Sequence, residues 1–109
     1  MIKFSYTTVF NKNIKQLGKK YPSLADDLLV LANSLSENPD QGVQLADNYR
    51  KIRMSIKSKG KGKRGGARVI TFNCLVAKND GEITFVTIYD KSDIENISLE
   101  EIKKAHNIL

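Results

Sequence analysis

Residues 51–57 read Lys-Ile-Arg-Met-Ser-Ile-Lys, and this alternation constrains the fold more than any other stretch of the chain. Successive side chains of a β-strand point to opposite faces. Ile52, Met54 and Ile56 therefore share one face, while Lys51, Arg53, Ser55 and Lys57 share the other. One face belongs against an apolar core. The reverse of the same strand is a row of cations.

That strand lies inside a longer segment with no acidic residue. From Arg50 to Arg68 it carries Arg50, Lys51, Arg53, Lys57, Lys59, Lys61, Lys63, Arg64 and Arg68, nine of the chain's 18 Lys and Arg. The remaining residues hold nine cationic side chains against 12 acidic ones, a net of −3, so the formal +6 is one local patch. A solvated sheet face or a purely acidic protein partner could also accommodate such charges. Like charges so close repel and cost stability, however, whereas a surface shaped for stability alternates signs. The pattern favours an anionic partner, and nucleic-acid phosphate is the usual one. No aromatic falls between Arg50 and Arg68, which argues against a platform that stacks single-stranded bases.

A chain of 109 residues suits one domain, 1–109, with a single core. Hydrophobic content of 40% with two prolines speaks for a folded globule rather than a disordered basic tail. No apolar run approaches the roughly eighteen residues of a membrane span. The opening MIKFSYTTVF has neither the apolar stretch nor the cleavage site of a signal peptide. A lone cysteine, Cys74, fits a reducing, cytoplasmic setting. One His and one Cys do not make a zinc site.

The alternation of Ile2, Phe4 and Tyr6 predicts an opening strand. Phe10, Ile14 and Leu17 then fall at helical spacing within 7–20, and Tyr21-Pro22 stops that helix. Ser23 and Asp26 form a capping-box pattern for a second helix, whose stripe is Leu24, Leu28, Leu31 and Leu35 and whose stop is Asn38-Pro39-Asp40. After a connector come the cationic strand, a mobile Gly- and Lys-rich loop over 59–66, and strands near 67–76 and 82–89. Lys78-Asn79-Asp80-Gly81 joins the last two as a hairpin. Ser98 and Glu101 cap a last helix carrying Leu99, Ile102, Ala105 and Leu109. The predicted order is β-α-α-β-β-β-α, an α+β fold with a helical hairpin and a C-terminal helix on a mostly antiparallel sheet.

Gly60-x-Gly62-x-x-Gly65 matches the dinucleotide fingerprint by letter, but it joins strand to strand and opens no helix. Its glycines are better explained as freedom for the loop lysines to follow a phosphate backbone. His106 reads as a surface or helix-end histidine, and Cys74 as a small core residue. Tyr89 ends the last strand ahead of Asp90 and Lys91, which suits a core or rim position and leaves a site role open.

The run Lys51-Ile-Arg53-Met, the loop from Gly60 through Gly-Gly-Ala-Arg68-Val-Ile, and Ile88-Tyr-Asp-Lys91-Ser together resemble the RelE/HigB toxins of the RelE/ParE toxin–antitoxin superfamily. The resemblance covers nearly the whole chain and implies a ribosome-dependent mRNA endoribonuclease that inhibits translation and is neutralised by a cognate antitoxin. It assigns catalytic roles to Lys51 and Arg53 on the cationic strand, Arg68 on the next, and Lys91 after the last. The family's tyrosine near the last helix has no match between Asp93 and Ser98; Tyr89 is the nearest candidate. Arg50, Lys57, Lys59, Lys61, Lys63 and Arg64 would bind rRNA and mRNA backbone, and the antitoxin would cover the same basic face.

Cutting RNA by its own 2′-hydroxyl needs a group to take that proton, charge stabilisation at the phosphorane, and a proton for the leaving 5′-oxygen. Arg53 and Arg68 suit forked contacts to phosphate. Crowding by like charge eases proton loss from a lysine, and Lys51 is the first candidate for the base. The reaction requires no metal or small-molecule cofactor, and the segment offers no acidic cluster for Mg²⁺. Fixing the substrate on a ribosome would supply what weak catalytic groups lack. The competing expectations are a ParE-like gyrase inhibitor that cuts nothing, and a simple nucleic-acid-binding module.

Overall fold

Thr7 converts the opening strand β1, Ile2–Tyr6, into helix α1, Thr8–Lys20. Its hydroxyl accepts from the Phe10 N–H at 3.0 Å and donates to the Val86 carbonyl at 2.6 Å, so the cap also fastens helix to sheet. In this computed structural model, which describes residues 1–107, α1 ends as expected at Tyr21, extended ahead of Pro22. Helix α2 spans Leu24–Glu37 and buries Leu24, Leu31 and Leu35. The Ser23 capping box does not form. Ser23 instead donates its hydroxyl to the Asp27 carboxylate at 2.7 Å and meets the Ser58 hydroxyl at 2.8 Å.

The stretch expected as a connector contains a further strand, β2, Val43–Ala46. It pairs antiparallel with β3, Tyr49–Met54, through a turn at Asp47-Asn48. Asn48 has φ +72°, a left-handed conformation that asparagine tolerates better than most residues. Strands β4, Ala67–Ala77, and β5, Asp80–Asp90, follow, then helix α3, Leu99–His106. The β4–β5 turn is Lys78-Asn79 alone, since Asp80 and Gly81 already belong to β5. The sheet order is β1-β5-β4-β3-β2, with β1 parallel to β5 and the other neighbours antiparallel. The result is an α+β domain with three helices and a five-stranded mixed sheet.

Both faces of the sheet are covered, by different helices. Ile52, Met54, Val69, Ile83, Phe85 and Ile88 pack with Phe10 of α1 and Leu24, Leu31 and Leu35 of α2. Tyr49, Ile70, Val86 and Tyr89 pack on the reverse with Ile102 and Ala105 of α3. Each fully buried Ile or Phe here stabilises the fold by roughly 1.5–3 kcal/mol. A bulge makes this division possible: Ile70 pairs with Thr87 and Thr71 with Phe85, leaving Val86 unpaired. The extra residue resets the alternation of β5, so Phe85 and Ile88 share one face and Val86 and Tyr89 the other.

Three further expectations need correction. Strand β3 stops at Met54, so Ser55 and Lys57 leave the cationic row, and Lys57–Lys59 forms a 3₁₀ turn. Cys74 is exposed rather than core, because it faces outward near the tip of the long β4–β5 hairpin. The 59–66 loop is folded into turns, with Gly60 and Gly62 at positive φ. Ser98 does cap α3, accepting from the Glu101 N–H at 3.1 Å. Leu109, expected on the apolar stripe of that helix, lies outside the described residues. No described helix is long and apolar enough to cross a membrane.

Candidate active site

Strand pairing carries the cationic row of β3 onto its neighbours. Arg53 stands opposite Arg68 of β4, and Arg68 stands opposite Tyr89 of β5. Residues directly opposite in an antiparallel ladder share a face, so Arg53, Arg68 and Tyr89 form one cross-strand line. Lys51, two residues before Arg53, adds to the same face. Helix α3 covers the part of that face around Tyr49 and Ile70. The remainder is the floor of a cleft of about 930 Å³.

The cleft has three walls. Gln41, Gly42, Val43 and Leu45 form one beside β2; Lys63 and Arg64 form the second; Lys91, Glu95 and Asn96 form the third. Gly42 has φ +86°, and a Cβ there would collide with the Lys51 carbonyl, so only glycine lets this wall approach β3. Arg53 reaches solvent, and Lys51 is half-buried with its ammonium 3.4 Å from Asn96 Oδ1. Lys91 donates to the Glu95 carbonyl at 3.2 Å.

Arg68 is only 5% exposed. Its guanidinium donates to the carbonyls of Lys63 at 3.2 Å, Ala67 at 3.3 Å and Arg64 at 3.0 Å. It thus holds the second wall in place while lining the cleft itself. Burial, and then the neighbouring Arg53 charge, make its positive form less favourable than in water. Such a site gains from a bound anion. Tyr89 is equally buried at 5%, and its hydroxyl has no hydrogen-bond partner among the described residues. Burial raises its pKa, with Arg68 pulling the other way. Tyr89 is not among the cleft-lining residues; it lies behind Arg68 against α3.

The structure therefore gathers Lys51, Arg53, Arg68, Lys91, Lys63 and Arg64 around one cleft. It disperses the other expected cations. Arg50 points to the opposite face and donates to the carbonyls of Asp40 at 2.7 Å, Gln41 at 3.0 Å and Gly42 at 3.1 Å. Lys57 and Lys61 are exposed outside the cleft. Lys59 is not among the cleft-lining residues, and its ammonium sits 2.6 Å from the Asp90 carboxylate and 2.7 Å from the Ser92 hydroxyl. His106 accepts or donates one hydrogen bond with the Tyr49 hydroxyl at 2.6 Å beneath α3, away from the cleft. The sequence reading missed Glu95, the one carboxylate among the described cleft residues, and the β2 wall. Only the Asp47-Asn48 turn could have signalled that wall.

A scan against protein-family models finds no match to this chain, and a search of curated proteins finds none either.

Proposed function

We propose that the chain is a toxin of the RelE/HigB type: a metal-independent, ribosome-dependent mRNA endoribonuclease, acting in the cytoplasm and restrained by a cognate antitoxin. The observation that carries this reading is the convergence of Lys51, Arg53, Arg68 and Lys91 from two strands and a loop onto one cleft. In sequence they span 51 to 91. Folding brings together the four positions that the resemblance to that family had singled out.

Arg53 and Arg68 would hold the scissile phosphate and stabilise the charge of the phosphorane. Lys51 would take the 2′-hydroxyl proton, so that the 2′-oxygen bonds to phosphorus and the bond to the 5′-oxygen breaks. Lys91, on the facing wall, would return a proton to the leaving 5′-oxygen. Lys63 and Arg64 would follow the backbone beyond the cut. Lysine and arginine side chains are weak acids and bases near neutral pH, which is why substrate geometry fixed by the ribosome would contribute heavily to the rate.

Gyrase inhibition without cleavage is the alternative, and the buried hydroxyl of Tyr89 favours it, since no tyrosine lines the cleft. Purified protein added to ribosomes programmed with a defined mRNA separates the two. The proposal predicts a new 5′-hydroxyl end at the A-site codon, absent with Lys51→Ala, whereas intact mRNA together with arrested DNA supercoiling by gyrase would replace it.

A further inference from the structure

Asp90 closes β5 with a carboxylate whose side chain is 0% exposed. Three segments meet on it. Lys59 donates to Oδ1 at 2.6 Å, the Ser92 N–H donates to the same oxygen at 2.9 Å, and the Tyr21 hydroxyl donates to Oδ2 from the α1–α2 corner. Its backbone carbonyl accepts from the Asp93 and Ile94 N–H groups at 3.0 and 3.2 Å. Lys59–Asp90 is the one largely buried ion pair among the described residues. Replacing such a pair by apolar groups of similar volume is often neutral or stabilising, so stability alone does not account for it. Its placement does. Lys59 begins the loop that carries Lys63 and Arg64, while Lys91, next to Asp90, begins the wall that carries Glu95 and Asn96. The Lys91 N–H donates to the Gly66 carbonyl at 3.1 Å, a second tie between the same two segments.

We propose that Asp90 is a positioning residue, whose carboxylate joins the two cationic walls through Lys59 and Ser92 and so sets the width of the cleft. The proposal deepens, and in its RNA part rests on, the reading of the cleft as an RNA site. A carboxylate is suited to the task because it only accepts hydrogen bonds and can take several donors at once. An apolar core at this point would hold the segments together without fixing their register.

The test compares wild type, Asp90→Asn, and Asp90→Asn combined with Lys59→Met. Three quantities are measured: melting temperature, amide exchange at Gly65 and Lys91, and the salt dependence of binding to a 2′-O-methylated oligouridylate, which cannot be cut. Asp90→Asn leaves a buried ammonium unpaired and should melt ~10 °C lower. The double variant removes that charge and should regain most of the loss. In both variants the Gly65 and Lys91 amides should exchange faster, and the salt slope should fall by about 1.4, the share of two single-strand phosphate contacts. A double variant with wild-type exchange and wild-type slope would overturn the proposal, because the pair would then be packing alone. If the wild type shows no salt-dependent binding, the RNA reading falls by itself, and exchange at Gly65 and Lys91 decides the positioning role.

Discussion

Arg53 and Arg68 face each other across β3 and β4 with no carboxylate between them. Like charges directly opposite in a sheet oppose folding by a few tenths of a kcal/mol to about 1 kcal/mol. A fold shaped for stability alone would place an acidic or β-branched residue at one of the two positions. Arg53→Thr is therefore expected to raise the melting temperature slightly or leave it unchanged, while RNA cleavage and affinity are lost. Thermal unfolding and cleavage measured on the same preparation check this. A fall in stability would mean that Arg53 serves the fold rather than a ligand.

Acid sensitivity should concentrate at Asp90. Burial pushes its carboxyl up, but hydrogen bonds from Lys59, Tyr21 and the Ser92 N–H outweigh burial and hold it down to about 2. An unfolded aspartate titrates near roughly 3.9, so the unfolded chain takes up the proton first as pH falls. The stability from this group is complete above about pH 5 and drains as pH drops through 4 toward 2, on the order of 2 kcal/mol in all. Urea unfolding between pH 2 and 6 should show this slope in the wild type, and a flatter one in Asp90→Asn.

Glu95 offers a test of the base assignment. It is the one carboxylate among the described cleft residues, and its charge would oppose a phosphate bound there. With Lys51 as base, Glu95→Gln should bind RNA more tightly, by a few-fold, and retain cleavage. Loss of cleavage with unchanged RNA affinity would move the base role from Lys51 to Glu95.

Gly42 is expected to be intolerant of a side chain. Its φ of +86° and the Lys51 carbonyl beside it leave no room for a Cβ. Gly42→Ala should destabilise the chain by about 1–3 kcal/mol, read from denaturant midpoints. It should also weaken RNA binding more than Gly18→Ala, where the space around the glycine is open.

The parts of the fold that were legible in the sequence are those set by local periodicity. The alternation at Ile52 and Met54 correctly separated core from cations, because β3 is apolar on one face only along that stretch. Ser98 and Glu101 signalled the cap of α3 because a capping box uses groups three residues apart. Arg68 was harder. Val69 and Ile70 are both buried, under different helices, so alternation around Arg68 carried no information on which face it shared. Pairing with Arg53 decided that, and pairing is a long-range property. The pairing of Lys59 was hidden for a related reason: within a run of lysines nothing local distinguishes the one whose partner, Asp90, arrives 31 residues later.

The most direct test of the central claim is induced expression in a bacterial host, with 5′-end mapping of cellular mRNA, for wild type and Arg53→Ala. Growth arrest with in-frame cuts confined to translated messages, both lost in the variant, is the predicted result. Arrest with messages intact, or cuts that persist in Arg53→Ala, would contradict the cleft as a ribosome-dependent nuclease site.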